Sequence, residues 1–340
     1  MQSVTEIISA AVERALGAPA LLRPCANPQF GDYQANGVMA VAKQTKQNPR
    51  TLAEKIVSQL SLDNVCEPPT VAGAGFINFT LRGEFVGAQV TAAARDDRHG
   101  VPVAMKPKTV VVDYCGVNVA KPMHIGHIRS TIIGDCLARV LRFQGHRVIT
   151  DNHIGDWGTQ FGMLLLGWKR NRNDDAIHAD PIAELLRLYK LINEREELRA
   201  EAKAELVKLQ QGDPENLAIW RKFIELSESE FTKIYDRLGV RFDHTLGESF
   251  YNPMLPGVVA ELRQRGIATE SDGAICVFVA GSKAPLIIQK ADGAFLYGTT
   301  DLATLKYRLD QWHPDEVIYV TDGRQQLHFQ QVFAVARQWF

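Results

Sequence analysis

The chain has 340 residues, of which 38 are lysine or arginine and 39 are aspartate or glutamate. This length allows two or three domains with a large core, and the balance of charge excludes a polybasic chain whose nucleic-acid binding could be inferred from net charge. The five cysteines are scattered and form no Cys-x-x-Cys pair, which argues against a disulfide framework and against a thiolate zinc site.

The N-terminal segment shows no targeting signal. Residues 1–17 mix acidic and apolar side chains in an amphipathic helical pattern and lack the basic and apolar regions of a secretory signal. No apolar run approaches the length of a transmembrane helix. Together with the cysteine usage, this pattern predicts a protein of the reducing cytoplasm that does not engage a membrane.

Residues 1–95 are interpreted as a separate small α+β domain. Helical spacing covers residues 4–16 and 51–60, and a short strand is predicted at 76–80. Residues 96–108 combine glycine, proline and charged residues and are interpreted as a linker.

The remaining residues, 109–340, are interpreted as a further domain, and they contain the most informative stretch, His124-Ile125-Gly126-His127. An apolar run at 109–114 predicts a buried parallel strand, and apolar residues recur at helical spacing from 128 to 141. The tetrapeptide therefore lies at a strand-to-helix turn, where unpaired N–H groups and the positive end of the helix dipole favour a phosphate. Gly126 lets a nucleotide approach the backbone, and two imidazoles beside a phosphate suggest nucleotidyl transfer.

A second strand is predicted at 147–150, and the alternation of strand, turn and helix predicts an α/β fold with a doubly wound parallel nucleotide-binding sheet, Rossmann-like. Ligands of such sheets lie beyond the carboxyl ends of the strands. Residues 152–162, which follow the second strand, contain three glycines and several larger polar and aromatic side chains: His153, Asp156, Trp157 and Gln160. A simple turn does not require these side chains, so this loop is interpreted as a wall of an active site.

Residues from about 170 to 238 are helical in pattern and highly charged. Because alternating charge usually marks an exposed helix face, we interpret this segment as a solvated two-helix insertion rather than a dedicated binding surface. Later strands are predicted at 274–279, 286–289 and 317–320, and a helix is predicted from about residue 327 to the end.

Four residues of the C-terminal part could enclose a planar cation. Glu248 and Asp301 supply carboxylates, Tyr297 an aromatic face and Gln325 an amide, which suits guanidinium through bidentate bonds and cation–π contact. Each of them looks ordinary singly: Asp301 suits a helix N-terminus, Tyr297 suits a core, and a threonine between them could cap the helix.

These blocks resemble, in order, the catalytic domain of arginyl-tRNA synthetases, which are class I aminoacyl-tRNA synthetases. The resemblance rests on residues 112–135, 153–162, 247–255, 297–301 and 322–328. Residues 30–36 and 73–78 are similar to the family's additional N-terminal domain, which touches the elbow of the tRNA. Essentially the whole chain is covered, and five spaced blocks agree in order with an N-terminal domain.

The resemblance implies an enzyme that uses ATP, L-arginine and tRNA(Arg), with Mg²⁺ arriving on ATP and no dedicated metal site on the protein. It implies the following catalytic residues: His124, His127 and Lys121. It implies the following ATP contacts: His124, Gly126, His127, Asp322 and His328. It implies that Asn118 and His153 position the α-amino and carboxylate end of arginine, while the side chain lies among the four residues named above.

A complete member of the family continues into a mobile KMSKS-type loop and a helical anticodon-binding domain. No Lys-Met-Ser-Lys-Ser segment occurs in this sequence, which stops at Phe340 in an amphipathic helical pattern. We therefore expect an N-terminal fragment, a split gene product or a truncated paralogue, whose catalysis would need a complementing C-terminal segment.

Three functions are compatible with these observations. The first is ATP-dependent arginine–tRNA ligation through arginyl-adenylate, and the second is a non-catalytic module that binds arginine or tRNA. The third is nucleotidyl transfer to another small acid, which the pair Glu248 and Asp301 disfavours, because two carboxylates facing a neutral side chain would be left unpaired.

Overall fold

The computed structural model describes residues 3–282 and 284–340. The chain divides into two compact units, residues 1–103 and residues 104–340.

The first unit combines helices with a four-stranded antiparallel sheet of order β1-β2-β4-β3. Its strands are β1 (Leu22–Pro24), β2 (Tyr33–Ala35), β3 (Thr70–Ala72) and β4 (Phe76–Phe79). Its helices are α1 (Val4–Leu16), α2 (Gly37–Thr45), α3 (Pro49–Val57) and α4 (Gly83–Ala94). The predicted helix at 4–16 is confirmed, and the one predicted at 51–60 begins earlier, because the Asn48 side chain caps α3 by accepting from the N–H groups of Arg50 and Thr51.

The second unit holds a parallel sheet, an antiparallel sheet and many helices. Its strands are β5 (Thr109–Tyr114), β6 (Arg147–Asn152), β7 (His244–Thr245), β8 (Thr269–Ser271), β9 (Ala274–Val277), β10 (Leu286–Gln289) and β11 (Glu316–Val320). Its helices are α5 (Ile125–Phe143), α6 (Gln160–Asn171), α7 (Asp174–Ala179), α8 (Pro181–Asn193), α9 (Arg199–Gln210), α10 (Pro214–Leu238), α11 (Glu248–Tyr251), α12 (Leu255–Gln264), α13 (Tyr297–Trp312) and α14 (Gln326–Trp339).

The parallel sheet has the order β11-β5-β6-β7, so the chain leaves β5 towards β6 on one side and returns to β5 through β11 on the other. Such a reversal of strand order opens a crevice at the carboxyl ends of the two strands that flank it. The predicted α/β class with a parallel sheet is confirmed. The strands β8, β9 and β10 form a separate antiparallel sheet.

Helix α5 packs closely on the sheet through small residues. Its buried positions are Thr131, Gly134 and Ala138, and a Cβ atom at Gly134 would lie 2.2 Å from the Tyr114 ring. The apolar residues whose spacing predicted this helix are instead largely exposed: Ile132, Ile133, Leu137 and Val140.

The interpretation of residues 170–238 as a solvated two-helix insertion is wrong. The segment folds into α7, α8, α9 and α10, and these helices contribute to the same buried cluster as Val110 and Val112 of β5. The buried contributors are Leu185, Leu188, Leu209, Phe223 and Phe231. Charged side chains dominate the sequence of these helices because only one face of each is buried, and the pattern of charge hid the apolar face.

A buried guanidinium ties α13 to the parallel sheet. Arg308 is fully buried, and its Nη2 lies 2.5 Å from Asp113 Oδ2 at the end of β5 and 2.8 Å from Asp151 Oδ2 of β6. Buried charges of this kind persist only when they are paired, so the three side chains hold one helix and two strands in a fixed relation.

Candidate active site

A cavity of about 590 Å³ lies in the second unit, at the carboxyl ends of β5 and β11 where the strand order reverses. The predicted site residues that line it are Asn118, His124, Gly126, His127, His153, Glu248, Tyr297, Asp301, Asp322, Gln325 and His328. The fold therefore brings together residues that are more than two hundred positions apart in the sequence.

Two histidines form the N-terminus of α5 at this cavity. His124 is the N-cap residue, and its Nδ1 accepts from the N–H of Gly126 at 3.1 Å. His127 Nδ1 accepts from the N–H of His124 at 3.3 Å, and the two rings stack with centroids 3.8 Å apart. A Cβ at Gly126 would come within 3.0 Å of the His124 ring, so a larger residue would press on this arrangement.

These hydrogen bonds fix the chemistry of both imidazoles. Since Nδ1 of each ring accepts from the backbone, the proton of a neutral ring must lie on Nε2, which is then a hydrogen-bond donor. Burial and the neighbouring His124 lower the pKa of His127, so this ring is neutral at pH 7. The helix N-terminus thus presents two imidazole N–H donors beside the positive end of the helix dipole, which suits an anion.

Two arginines that the sequence interpretation missed lie at the same part of the cavity. Arg129 of α5 and Arg324, in the 3-10 turn Gly323–Gln325, both line it, and both pair with Asp322, at 3.3 Å and 2.8 Å. Hydrogen bonds from Arg324 lower the pKa of Asp322 to about 2, so its carboxylate is ionised. The only sequence signal for Arg129 was its position two residues after His127, and Arg324 had only its position beside Gln325.

Carboxylates gather at the other part of the cavity. Glu248 begins α11 and Asp301 lies in the first turn of α13. Burial, together with the nearby charges of Asp156 and Asp301, raises the pKa of Glu248 to about 7. A cation that entered here would relieve this repulsion and favour the ionised form of Glu248.

Asp301 and Tyr297 share one partner, His328 of α14. His328 Nε2 is hydrogen-bonded to Asp301 Oδ2, and the His328 ring lies 4.5 Å from the Tyr297 ring, centroid to centroid. The expected threonine cap of α13 is wrong: Leu296 is the N-cap, and Thr299 donates instead to the carbonyl of Ile288. Gln325 is exposed and precedes α14.

Asn118 and His153 both line the cavity, in the segments that follow β5 and β6. Residues Asn118 and Gly155 form a parallel bridge, and a Cβ at Gly155 would lie 2.3 Å from Asn118 Oδ1. The buried Nδ1 of His153 has no hydrogen-bond partner within residues 3–282 and 284–340. A buried polar atom without a partner is costly, which makes His153 Nδ1 a candidate for contact with a ligand.

Fewer residues of the loop at 152–162 line the cavity than its composition predicted. His153 and Gly155 line the cavity, whereas Asp156 accepts from the N–H and hydroxyl of Ser249 and thereby holds the start of α11. Trp157 packs edge to face against Trp220, 5.6 Å between centroids. These polar and aromatic side chains serve to hold the loop, which the sequence alone did not reveal.

Lys121 is not among the residues that line the cavity. Its Nζ lies 6.0 Å from the centroid of the Tyr189 ring in α8. Its expected catalytic role stays a prediction.

In the described part of the chain, no group of three or more His, Cys, Asp or Glu side chains is placed to hold a metal ion. Within the same residues, no helix is both long and apolar enough to cross a membrane.

Comparison with known proteins identifies the family. The model described as tRNA synthetases class I (R), catalytic domain, matches residues 89–339, and the model of the arginyl-tRNA synthetase N-terminal domain matches residues 2–81. An arginine–tRNA ligase from Rhodopirellula baltica is 41% identical over 405 residues, covering 93% of this chain and 60% of that protein. One from a Cyanothece species is 45% identical over 345 residues, covering 98% of this chain and 59% of that protein.

A solved structure agrees with these relatives. The arginyl-tRNA synthetase of Plasmodium falciparum superimposes with a TM-score of 0.78 at 31% identity, covering 98% of this chain and 61% of that one. The chain spans about 60% of the length of the curated relatives that it matches. With its parallel sheet, its histidine pair at the start of α5 and the match of a catalytic-domain model over most of its length, the chain belongs to the arginyl-tRNA synthetase family of class I tRNA synthetases.

Proposed function

We propose that this chain carries the arginine- and ATP-binding part of an arginine–tRNA ligase, active in the cytoplasm. The observation that carries the proposal is one cavity with two chemically opposite parts. Imidazole N–H donors and arginines lie at the N-terminus of α5 and the turn after β11, while Glu248 and Asp301 supply carboxylates beside Tyr297. ATP brings the anion and arginine brings the cation, so the two parts suit the two substrates.

In the proposed reaction, a carboxylate oxygen of arginine attacks the α-phosphate of ATP. The bond to pyrophosphate breaks, and arginyl-adenylate and pyrophosphate form. A hydroxyl of the terminal ribose of tRNA(Arg) then attacks the arginyl carbonyl, which releases AMP. Such catalysis consists mainly of positioning and of stabilising charge that develops on phosphate oxygens.

The proposed role of each residue follows from its place in the cavity. The Nε2 donors of His124 and His127 and the backbone at Gly126 would bind phosphate oxygens. Asp322 is already paired with Arg129 and Arg324, so we propose that these two arginines contact the phosphates and exchange Asp322 for them when ATP binds. Mg²⁺ would arrive with ATP, held mainly by phosphate oxygens.

Asn118 and His153 would bind the α-amino and carboxylate end of arginine, since His153 Nδ1 lacks a partner in the described chain. The guanidinium would lie among Glu248, Asp301, Tyr297 and Gln325. Residues 1–95, linked through 96–108 to the catalytic part, would form the N-terminal domain that touches the elbow of the tRNA.

The test compares binding of arginine with binding of citrulline, which has the same shape and no charge. Hydrogen bonds to charged groups contribute about 1.5–3 kcal/mol each, so calorimetry should show at least roughly tenfold preference for arginine. The Asp301→Asn variant should lose most of that preference. Equal affinities of the two ligands for the unaltered chain would show that the guanidinium site is wrongly assigned.

Turnover separates the ligase from a non-catalytic module that binds arginine. Arginine- and tRNA-dependent exchange between ATP and pyrophosphate indicates the ligase reaction. Selective arginine binding without exchange, even when the remaining two-fifths of a relative is supplied, would favour the module.

A further inference from the structure

His328 differs from the other cavity residues because it contacts two members of the proposed guanidinium site from a different helix. It lies on α14, whereas Tyr297 and Asp301 lie one turn apart on α13. Its Nε2 is bonded to Asp301 Oδ2, and its ring packs on the Tyr297 ring at 4.5 Å. The side chains of His328 and Asp301 are 11% and 15% exposed, so solvent competes little for this hydrogen bond.

We propose that His328 is a positioning residue for arginine specificity: it orients the Asp301 carboxylate and the Tyr297 ring towards the guanidinium and makes no contact with the nucleotide. This inference rests on the proposed arginine site. It differs from the role that the sequence resemblance implied, in which His328 contacts ATP.

The hydrogen bond explains how His328 would act. A carboxylate on a short side chain can rotate, and ordering a free side chain when a ligand binds costs conformational entropy. With Oδ2 held by His328, the rotation of Asp301 is already restricted before arginine arrives. Within the described residues Oδ1 has no hydrogen bond, so it is available to a guanidinium N–H.

The charge of the pair also matters. A neutral imidazole that donates from Nε2 leaves the full negative charge of Asp301 to attract the guanidinium. A lysine or arginine at position 328 would neutralise that charge, and an apolar residue would leave the carboxylate without its orienting donor. An imidazole supplies an N–H donor and a flat face for Tyr297 in one side chain.

The position of His328 in α14 fits this role. Gln325, in the 3-10 turn that leads into α14, lines the same cavity three residues before His328. One short segment therefore brings an amide and the orienting imidazole to the cavity.

The experiment measures calorimetric affinities for arginine, citrulline and ATP in four chains: the unaltered protein, His328→Ala, His328→Gln and Gln330→Ala. Gln330 is exposed on the same helix and serves as the matched control. The glutamine amide can replace the imidazole Nε2–H as a donor to Asp301, whereas alanine cannot. Thermal unfolding of each variant shows whether the fold persists, and His328→Gln keeps the test informative if His328→Ala unfolds.

We expect His328→Ala to weaken arginine binding by roughly tenfold, with citrulline and ATP affinities nearly unchanged. His328→Gln should retain most of the arginine affinity, and Gln330→Ala should retain all of it. A loss of ATP affinity, an unchanged arginine affinity in His328→Ala, or equal losses in the glutamine and alanine variants would each overturn the proposal. If the unaltered chain does not prefer arginine to citrulline, the proposed function itself fails, which is a different result.

Discussion

At the scale of single residues, the proposed place of Glu248 in the arginine site would make arginine binding depend on pH. Burial and the charges of Asp156 and Asp301 raise its pKa to about 7 from the ordinary value of 4.5. Between about pH 4.5 and pH 7, the folded chain therefore keeps a proton on Glu248 that the unfolded chain has released. The contribution of this proton to the stability of the fold is lost as the pH rises through 7. Guanidinium binding needs the ionised form, so binding should release a proton below pH 7.

We expect arginine affinity to fall roughly tenfold between pH 8 and pH 6, as the fraction of ionised Glu248 falls. Calorimetry in buffers of different ionisation enthalpy measures the released proton directly. The Glu248→Gln variant should bind arginine weakly, should lose most of the pH dependence, and should gain stability relative to the unaltered chain above pH 7. An unchanged pH profile in Glu248→Gln would assign the titration to another group.

At the scale of elements, one carboxylate in the turn after β11 forms ion pairs with two arginine side chains. Asp322 pairs with Arg324 in its own turn and with Arg129 across the cavity in α5. A phosphate that binds the arginines must compete with Asp322. The Asp322→Asn variant should therefore strengthen pyrophosphate binding by about two- to fivefold at low salt, since exposed ion pairs contribute little each.

The asparagine keeps the oxygen that accepts from the N–H of Arg324, so the turn should persist. Glu316→Gln is the matched control, because Glu316 is an exposed acid at the other end of β11, paired with Lys108 at 3.2 Å. Weaker pyrophosphate binding in Asp322→Asn would instead support direct participation of Asp322 in the nucleotide site, as the sequence resemblance implied.

A second prediction at this scale concerns the buried ion pairs through which Arg308 of α13 contacts the parallel sheet. Removing Arg308 leaves Asp113 and Asp151 buried without a cation, so Arg308→Met should lower the free energy of unfolding by about 3–5 kcal/mol. Adding Asp151→Asn to that variant should recover part of the loss, because one buried charge is removed. Urea unfolding measures both values, and a loss below about 1 kcal/mol in Arg308→Met would mean that the carboxylates find other partners or protons.

At the scale of the whole molecule, sequence patterns predicted the elements that carry strong periodicity and missed those that depend on partners distant in the chain. The buried run at 109–114 and the helix at 4–16 match the structure residue for residue. The strands β1 and β2 have three residues each and show no alternation that a sequence could reveal. The segment 170–238 was interpreted wrongly because its helices carry many charged residues and each buries only a narrow apolar face.

In the candidate site, too, local signals were predicted and contacts between distant segments were missed. Side-chain chemistry and family resemblance predicted which residues meet in the cavity, because each lies in a segment with its own signature. Pairings across segments were missed: His328 with Asp301, and Arg129 with Asp322. No local spacing encodes them, since they arise when β11 and α14 are placed against β5 and α13.

The place of β11 in the sheet has a consequence for how the protein is made. Thr109 donates to the carboxylate of Asp315, 206 residues later, and β11 pairs along β5 over its whole length. During synthesis, the histidine pair and β5 leave the ribosome long before β11 does, so one edge of β5 stays unpaired while most of the chain is still being translated. An open apolar strand edge invites wrong pairing. The candidate cavity is therefore completed late in synthesis.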